Sequence, residues 1–347
     1  MRLRPLVLAV LLCVPSSAHA APPPREARWA ATWLADRIGK NGAITALDGT
    51  PDPATTVTAG LALAAAGVAP KTLDAVATYL SKHIDDYARK DGADRPGALG
   101  RLAMLAAASS RDPNAFGGTA PAHRLIDRIL ATRTTIGPNA GMFADPTYAG
   151  VFSHALGLLG VATARSLSAD QQAAVTSALD FLVAQQCANG AWQNAARVVV
   201  AGLALTDCGS GEKGPDTNAA SLAAQALAAF HRTPTHDPLA WFRAVRNAQG
   251  GYGYLPGGAT DSDSTALAIQ AFVAYGASPG PAYAALLALQ LRCPSGAKDR
   301  GAFAYMAGNP LRPNVYATTE AVPAVVLKAF PLTRPAATVA RMPVPCH

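Results

Sequence analysis

Charge is scarce in this chain: Asp, Glu, Lys and Arg together make up 15% of it. The cations are scattered, and no helix-turn-helix, zinc-finger or RNA-binding signature accompanies them, which excludes a nucleic-acid-binding protein. Aromatic residues are equally thin at 6%. Five cysteines are present, none in a C-x-x-C pair, so a closely spaced zinc site is excluded. No G-x-S-x-G occurs, which removes the nucleophile of an α/β-hydrolase. The segment Gly209-Ser-Gly-Glu-Lys-Gly214 lacks the full phosphate-loop pattern and follows no strand, so it reads as a loop. Beyond the first residues, no apolar run approaches the roughly 20 residues that a membrane span needs.

What is present begins with a targeting segment. Arg2 and Arg4 precede an apolar run from Leu6 to Val14 and a small-residue ending, Ala18-His19-Ala20. That order reads as a secretory signal over residues 1–20, cleaved after Ala20, and places the protein outside the cytoplasm, secreted or in the cell envelope. Cleavage removes Cys13 and leaves Cys187, Cys208, Cys293 and Cys346. An even count in an exported chain favours disulfides. Three connectivities exist; the local pairs Cys187–Cys208 and Cys293–Cys346 are expected, since each joins neighbouring segments. Loss of Arg2 and Arg4 lowers the net charge from +7 to +5, a mild basicity that suits solubility and weak attraction to an acidic envelope.

About 325 residues remain, more than one ordinary core holds. A repeat escapes that bound, because each unit buries its surface against the next. One unit recurs: an amphipathic helix, a loop with Gly and then a large apolar or aromatic residue, and a second helix rich in Ala and Leu. The six copies are centred on Gly42-Ala-Ile44, the turn before Arg95, Gly141-Met-Phe143, Gly190-Ala-Trp192, Gly250-Gly-Tyr252 and Gly301-Ala-Phe303. The second helices, such as 218–230 and 264–275, are apolar nearly all round and predict an inner position; the first helices carry charge on one side and suit an outer one. Alternating inner and outer helices without polar capping repeats predict an all-α, closed α/α toroid of about six hairpins over residues 21–330. Residues 331–347 read as a Pro-rich tail.

Asp52, Asp145, Asp216 and Asp261 stand at or just before second-helix starts, where a carboxylate accepts hydrogen bonds from free N–H groups. Capping is the first reading of these acids. Asp145, Asp216, Asp261, Asp263 and Glu320 all fall around inner-helix starts, which gathers them near one mouth of the barrel, and paired carboxylates at such a mouth serve glycosidases. Glu320 is the sole acid of its helix. Trp192, Tyr252 and Tyr254, with Asp216, Tyr148 and Tyr316 near the same helix starts, are the candidate ligand-binding residues; packing is the alternative for the aromatics. Lone histidines such as His154, His231 and His236 read as structural or solvated.

Phe181-Leu182, then Gln186, then Gly190-Ala191-Trp192 resembles the QW repeat of the squalene and terpene cyclases, with degenerate copies at Gly141–Phe143, Gln249–Tyr254 and Gln290 with Gly301–Phe303. The chain is similar to the prenyltransferase/squalene-oxidase repeat superfamily, which implies an α6/α6 toroid. Its members include triterpene cyclases, protein prenyltransferase β subunits and cobalamin carriers. Asp261-Ser262-Asp263-Ser264-Thr265-Ala266 resembles the cyclase motif D-x-D-D-T-A, which implies Asp263 as proton donor and Asp261 beside it, but Ser264 replaces the last acid. The scarcity of aromatics argues against a cavity built to hold carbocations. A prenyltransferase zinc site lacks its Cys ligand here, and a cobalamin carrier lacks its second domain.

With these signatures eroded, the expectation is a secreted, monomeric, non-catalytic toroid without metal or cofactor. It would bind an apolar or amphipathic small molecule, isoprenoid- or cobalamin-like, or an envelope protein. The competing expectations are a divergent terpene-cyclase-like enzyme using Asp261, Asp263 and Glu320, and a structural scaffold with a filled barrel.

Overall fold

Residues 22–147, 149–196, 208–209, 214–333 and 338–346 are described by the computed structural model. Residues 1–20, read above as a signal, and Tyr148 lie outside them. Helices alternate between two layers in six consecutive units. The first pairs α1 (Arg25–Ala35) with α2 (Pro53–Ala66), and the second pairs α3 (Pro70–Lys82) with α5 (Pro96–Ala108). Between those two lie the short α4 (Ile84–Ala88) and a hairpin of β1 (Arg89–Lys90) and β2 (Ala93–Asp94). The remaining pairs are α6 (Leu125–Ala131) with α7 (Val151–Val161), α8 (Ala169–Ala184) with α9 (Thr217–Ala229), α10 (Pro238–Val245) with α11 (Ser262–Ala274), and α12 (Pro281–Leu287) with α13 (Val315–Val325).

The second helix of every unit is internal. Helix α2 packs on α5, α5 on α7, α7 on α9, α9 on α11, α11 on α13, and α13 back on α2. That closes a ring, and the fold is the all-α, α6/α6 toroid expected from the repeat. Burial explains the composition: every residue of α2 from Thr56 to Ala66 is buried, whereas α3 buries Val76, Ala77 and Leu80 alone. Small residues let the inner helices touch backbone to backbone. At Gly100 on α5 an added Cβ would collide with the Leu156 carbonyl of α7.

The recurring loop has a fixed logic. Its glycine adopts φ of +87° at Gly42, +96° at Gly141, +91° at Gly190, +86° at Gly250 and +95° at Gly301, the region that favours glycine. The apolar residue two positions after Gly42, Gly141, Gly250 and Gly301 then donates its backbone N–H to the side chain four residues past the next inner helix cap. Ile44 donates to Thr56 Oγ1 at 2.9 Å, Phe143 to His154 Nδ1 at 3.0 Å, Tyr252 to Thr265 Oγ1 at 3.0 Å and Phe303 to Thr318 Oγ1 at 2.9 Å. The other ring nitrogen of His154 contacts the Ala178 carbonyl at 3.0 Å, and burial pushes its pKa down to about 4, so this histidine is a neutral structural bridge.

Two QW-like glutamines each fasten one outer helix to the next. Gln186 Nε2 donates to Gly190 O and His236 O, both at 2.9 Å, and its Oε1 accepts from His236 N at 2.9 Å, just ahead of α10. Gln290 repeats this at the seam, donating to Glu26 O at 2.8 Å and so joining the sixth unit to the first. The tail reinforces the same closure: Val339 N donates to Gly67 O at 2.9 Å, Met342 N to Thr32 Oγ1 at 2.9 Å, and Cys346 is bridged to Cys293. The second bridge joins Cys187 to Cys208, so both expected local pairs form.

Candidate functional site

Counting from each inner cap fixes what faces the barrel axis. The second and sixth residues after the cap point inward: Gly97 and Arg101 on α5, Phe152 and Leu156 on α7, and Asn218 on α9 all line one cavity. Its volume is about 360 Å³, and its wall is completed by Tyr87, Arg95, Ala98, Asp145, Ser153, Asn194, Asp216 and Tyr254. Two carboxylates, two guanidinium groups, two amides and two phenols therefore face a small space bounded on one side by Phe152 and Leu156.

Asp216 is the cap of α9, accepting from Ala219 N at 2.8 Å, and its residue is 2% exposed. Burial pushes its pKa up to about 6, against backbone N–H groups of Ala219, Asn218 and Asn194 that favour the charge. Asp145 departs from the expected capping role: the cap of α7 is Gly150. The Asp145 carboxylate instead ends a relay. Gly97 N donates to Ser153 Oγ at 3.2 Å, Ser153 donates to Asp145 Oδ2 at 2.7 Å, and Thr147 N donates to Oδ1 at 2.8 Å. Arg95 Nε stands 3.9 Å from the same carboxylate. Asp145 stands five positions ahead of the Gly150 cap, too far to cap α7 itself.

Opposite lies a charge network that crosses the barrel. Arg101 of α5 donates to the Tyr316 hydroxyl at 3.3 Å and sits 3.7 Å from Glu320, both on α13. Helices α5 and α13 flank α2 in the ring, so this contact spans the interior. Burial pushes the Glu320 carboxyl above its ordinary range, while the Arg101 charge and the Tyr316 hydroxyl oppose the rise. Asp263, two residues past its cap, is half-buried with Oδ1 unpartnered; burial first, then the charges of Glu320 and Asp261, push it up to about 8. Asp261 caps α11 through Ser264 N at 2.7 Å, and burial raises its pKa too.

The sequence candidates thus separate into three places. Asp216 and Tyr254 line the cavity; Asp261, Asp263, Glu320 and Tyr316 form the adjoining cluster reached through Arg101. Trp192 and Tyr252 are buried in the wall: the Trp192 indole donates to Leu182 O at 2.8 Å, and Tyr252 meets Phe242 edge-on. Tyr148 lies outside the described residues. Arg95, Arg101, Asn194, Asn218 and Tyr87 were not among the expected site residues. Arg101 carried a signal, being the one charge within an otherwise apolar inner helix, as Glu320 is in its own. Among the described residues no group of three or more His, Cys, Asp or Glu is placed to hold a metal ion, and no helix is long and apolar enough to cross a membrane.

No family model and no curated protein sequence matches the chain. Solved structures do. An unsaturated glucuronyl hydrolase specific for heparin aligns with a TM-score of 0.59 at 13% identity, covering 87% of this chain and 95% of that one. A type II terpene cyclase from Scytonema aligns at 0.54 and 15% identity, covering 87% and 96%. A glycosidase solved with glucose aligns at 0.55 and 12% identity, covering 88% and 97%. These likenesses correct one expectation. The non-catalytic carrier was inferred from eroded motifs of single families, but these three structures of the same fold are enzymes. The chain shares the α/α toroid fold of these structures.

Proposed function

We propose that this protein is an enzyme that uses Asp216 as general acid and Asp145 as the partner base on a neutral, hydroxyl-rich substrate of the glycoside class. The observation that carries this reading is the shared cavity of the two buried carboxylates with its polar lining. Arg95 is paired with Asp145 and Arg101 with Glu320, so the wall offers no surplus cation for an anionic substrate. Arg95 Nε, 3.9 Å from Asp145, and Asn218 Oδ1 are a buried donor and acceptor that make no hydrogen bond, which sugar hydroxyls would satisfy. Asp216, protonated up to about pH 6, would deliver its proton to the departing glycosidic oxygen, and Asp145 would accept one from water. The fold likeness to two glycoside-cleaving enzymes supports the same class. Residues 1–20 as a cleaved leader, and the two disulfides, favour action outside the cytoplasm on a substrate found there.

The test is calorimetric binding of neutral oligosaccharides to Asp216→Asn, which keeps the cap but not the acid. Binding that Asn218→Leu weakens on the order of ten-fold is expected. Binding of none of them, or equal binding by Asn218→Leu, overturns the reading. A second reading rests on Asp263, whose place in the cyclase-like motif and unpartnered oxygen fit a proton donor, and whose pKa of about 8 keeps it protonated at neutral pH. It requires cyclisation of a polyprenyl substrate that is abolished in Asp263→Asn.

A further inference from the structure

Outside the ring, where the sixth unit meets the first, α1, the loop 297–300 and the tail at Pro343 and Val344 enclose a groove of about 630 Å³. None of its lining residues lines the central cavity. Its walls are Trp29 and Trp33 with Arg37, Lys298 and Arg300, against the single acid Asp36. Asp36 is already held by Arg341 at 2.7 Å, and Arg37 is offset by Asp299 at 4.0 Å while lying over the Trp33 ring. Arg300 donates to the backbone carbonyls of Ser295 and Cys293 and meets no carboxylate among the described residues, and Lys298 is exposed. Trp29 and Trp33 are 6% and 5% exposed.

The immediate surroundings extend this charge. Arg28 donates to the Ala340 carbonyl at 3.1 Å and is paired with no acid among the described residues. Around the seam stand six cations (Arg25, Arg28, Arg37, Lys298, Arg300 and Arg341) and three acids (Glu26, Asp36 and Asp299). A donor-rich groove with aromatic walls and an excess of cations fits a ligand that carries both sugar rings and fixed negative charge.

We propose that this groove binds an acidic polysaccharide, with Lys298 and Arg300 on its anionic groups beside the Trp29 and Trp33 walls. The site is independent of the barrel reaction, and the protein would hold a polymer here whether or not it cleaves one. Because the seam is where the ring is fastened, the ligand would bridge the first and last units.

The experiment is salt elution of the whole secreted protein from immobilised polygalacturonate and, in parallel, from dextran sulfate and duplex DNA. Lys298→Glu is compared with Arg165→Glu, an equal charge change at an exposed position away from the seam. Arg300 is left intact because its backbone bonds support the loop, and unchanged unfolding temperatures confirm that both variants fold. The expected result is affinity for the polysaccharides lowered on the order of ten-fold by Lys298→Glu, with Arg165→Glu close to wild type. Polygalacturonate retention alone identifies carboxylate as the recognised group, and dextran sulfate retention alone identifies sulfate. Equal loss in both variants, no retention on either polysaccharide, or stronger retention on DNA overturns the proposal. A failure here leaves the cavity reading untouched, since calorimetry on Asp216→Asn does not involve this face.

Discussion

Replacing Asp216 by Asn separates the two things this carboxylate does. As a cap, Asn serves about as well as Asp, so the bond to Ala219 N is retained. As a buried acid, Asp216 costs stability whenever it is charged, because folding raises its pKa from 3.8 to about 6. The unfolded chain releases its proton near 3.8 and the folded chain near 6, so the folded state binds more protons between those values and stability falls as pH rises through that window. At 1.36 kcal/mol per pH unit the full cost above pH 6 is about 3 kcal/mol. Asn carries no charge and escapes it. For a chain of this size, with an unfolding entropy of about 2 cal/mol/K per residue, that is a rise of about 5 °C in Tm. The assay is thermal unfolding of both proteins from pH 3.5 to 8. The two curves should converge near pH 3.5 and separate through pH 6, with the variant above. A variant no more stable than wild type at pH 7 refutes the reasoning, since Asp216 would then be neither buried nor burdened as the structure shows.

Three further outcomes follow from the architecture. Cys293→Ser with Cys346→Ser opens a bridge spanning 53 residues, which should cost about 4 kcal/mol by loop entropy and lower Tm without loss of helix by circular dichroism. Gly100→Ala should destabilise by about 2 kcal/mol in denaturant titration, because the added carbon meets the Leu156 backbone, which has no room to yield. Gln270→Leu should raise the denaturant midpoint, since both amide atoms of this fully buried residue lack partners and their desolvation costs about 1–3 kcal/mol.

The ring was legible because helix periodicity, charge-free second helices and a glycine-aromatic loop repeat in register, and each has one physical cause. Asp52, Asp216 and Asp261 cap as read, and both cysteine pairs form between adjacent segments. The cavity was less legible. Asp145 sits five residues ahead of the cap of α7, so spacing alone assigned it a role that Gly150 fills. Asn194 and Tyr87 come from connecting segments whose inward course depends on the closed ring, which one unit cannot show. Arg101 and Glu320 were each conspicuous as a lone charge in an apolar helix, yet their pairing across the barrel needed the angular position of α5 relative to α13. The eroded motifs pointed to a non-catalytic carrier, whereas the solved structures of this fold reported above are enzymes.

The most direct test of the catalytic account is the pH dependence of kcat/KM for the mature protein across a panel of neutral glycosides, beside Asp216→Asn. The account predicts turnover of at least one, falling as pH rises through about 6 where Asp216 loses its proton, and loss of that turnover in the variant. Turnover by Asp216→Asn equal to wild type, or no glycoside cleaved between pH 4 and 8, contradicts it.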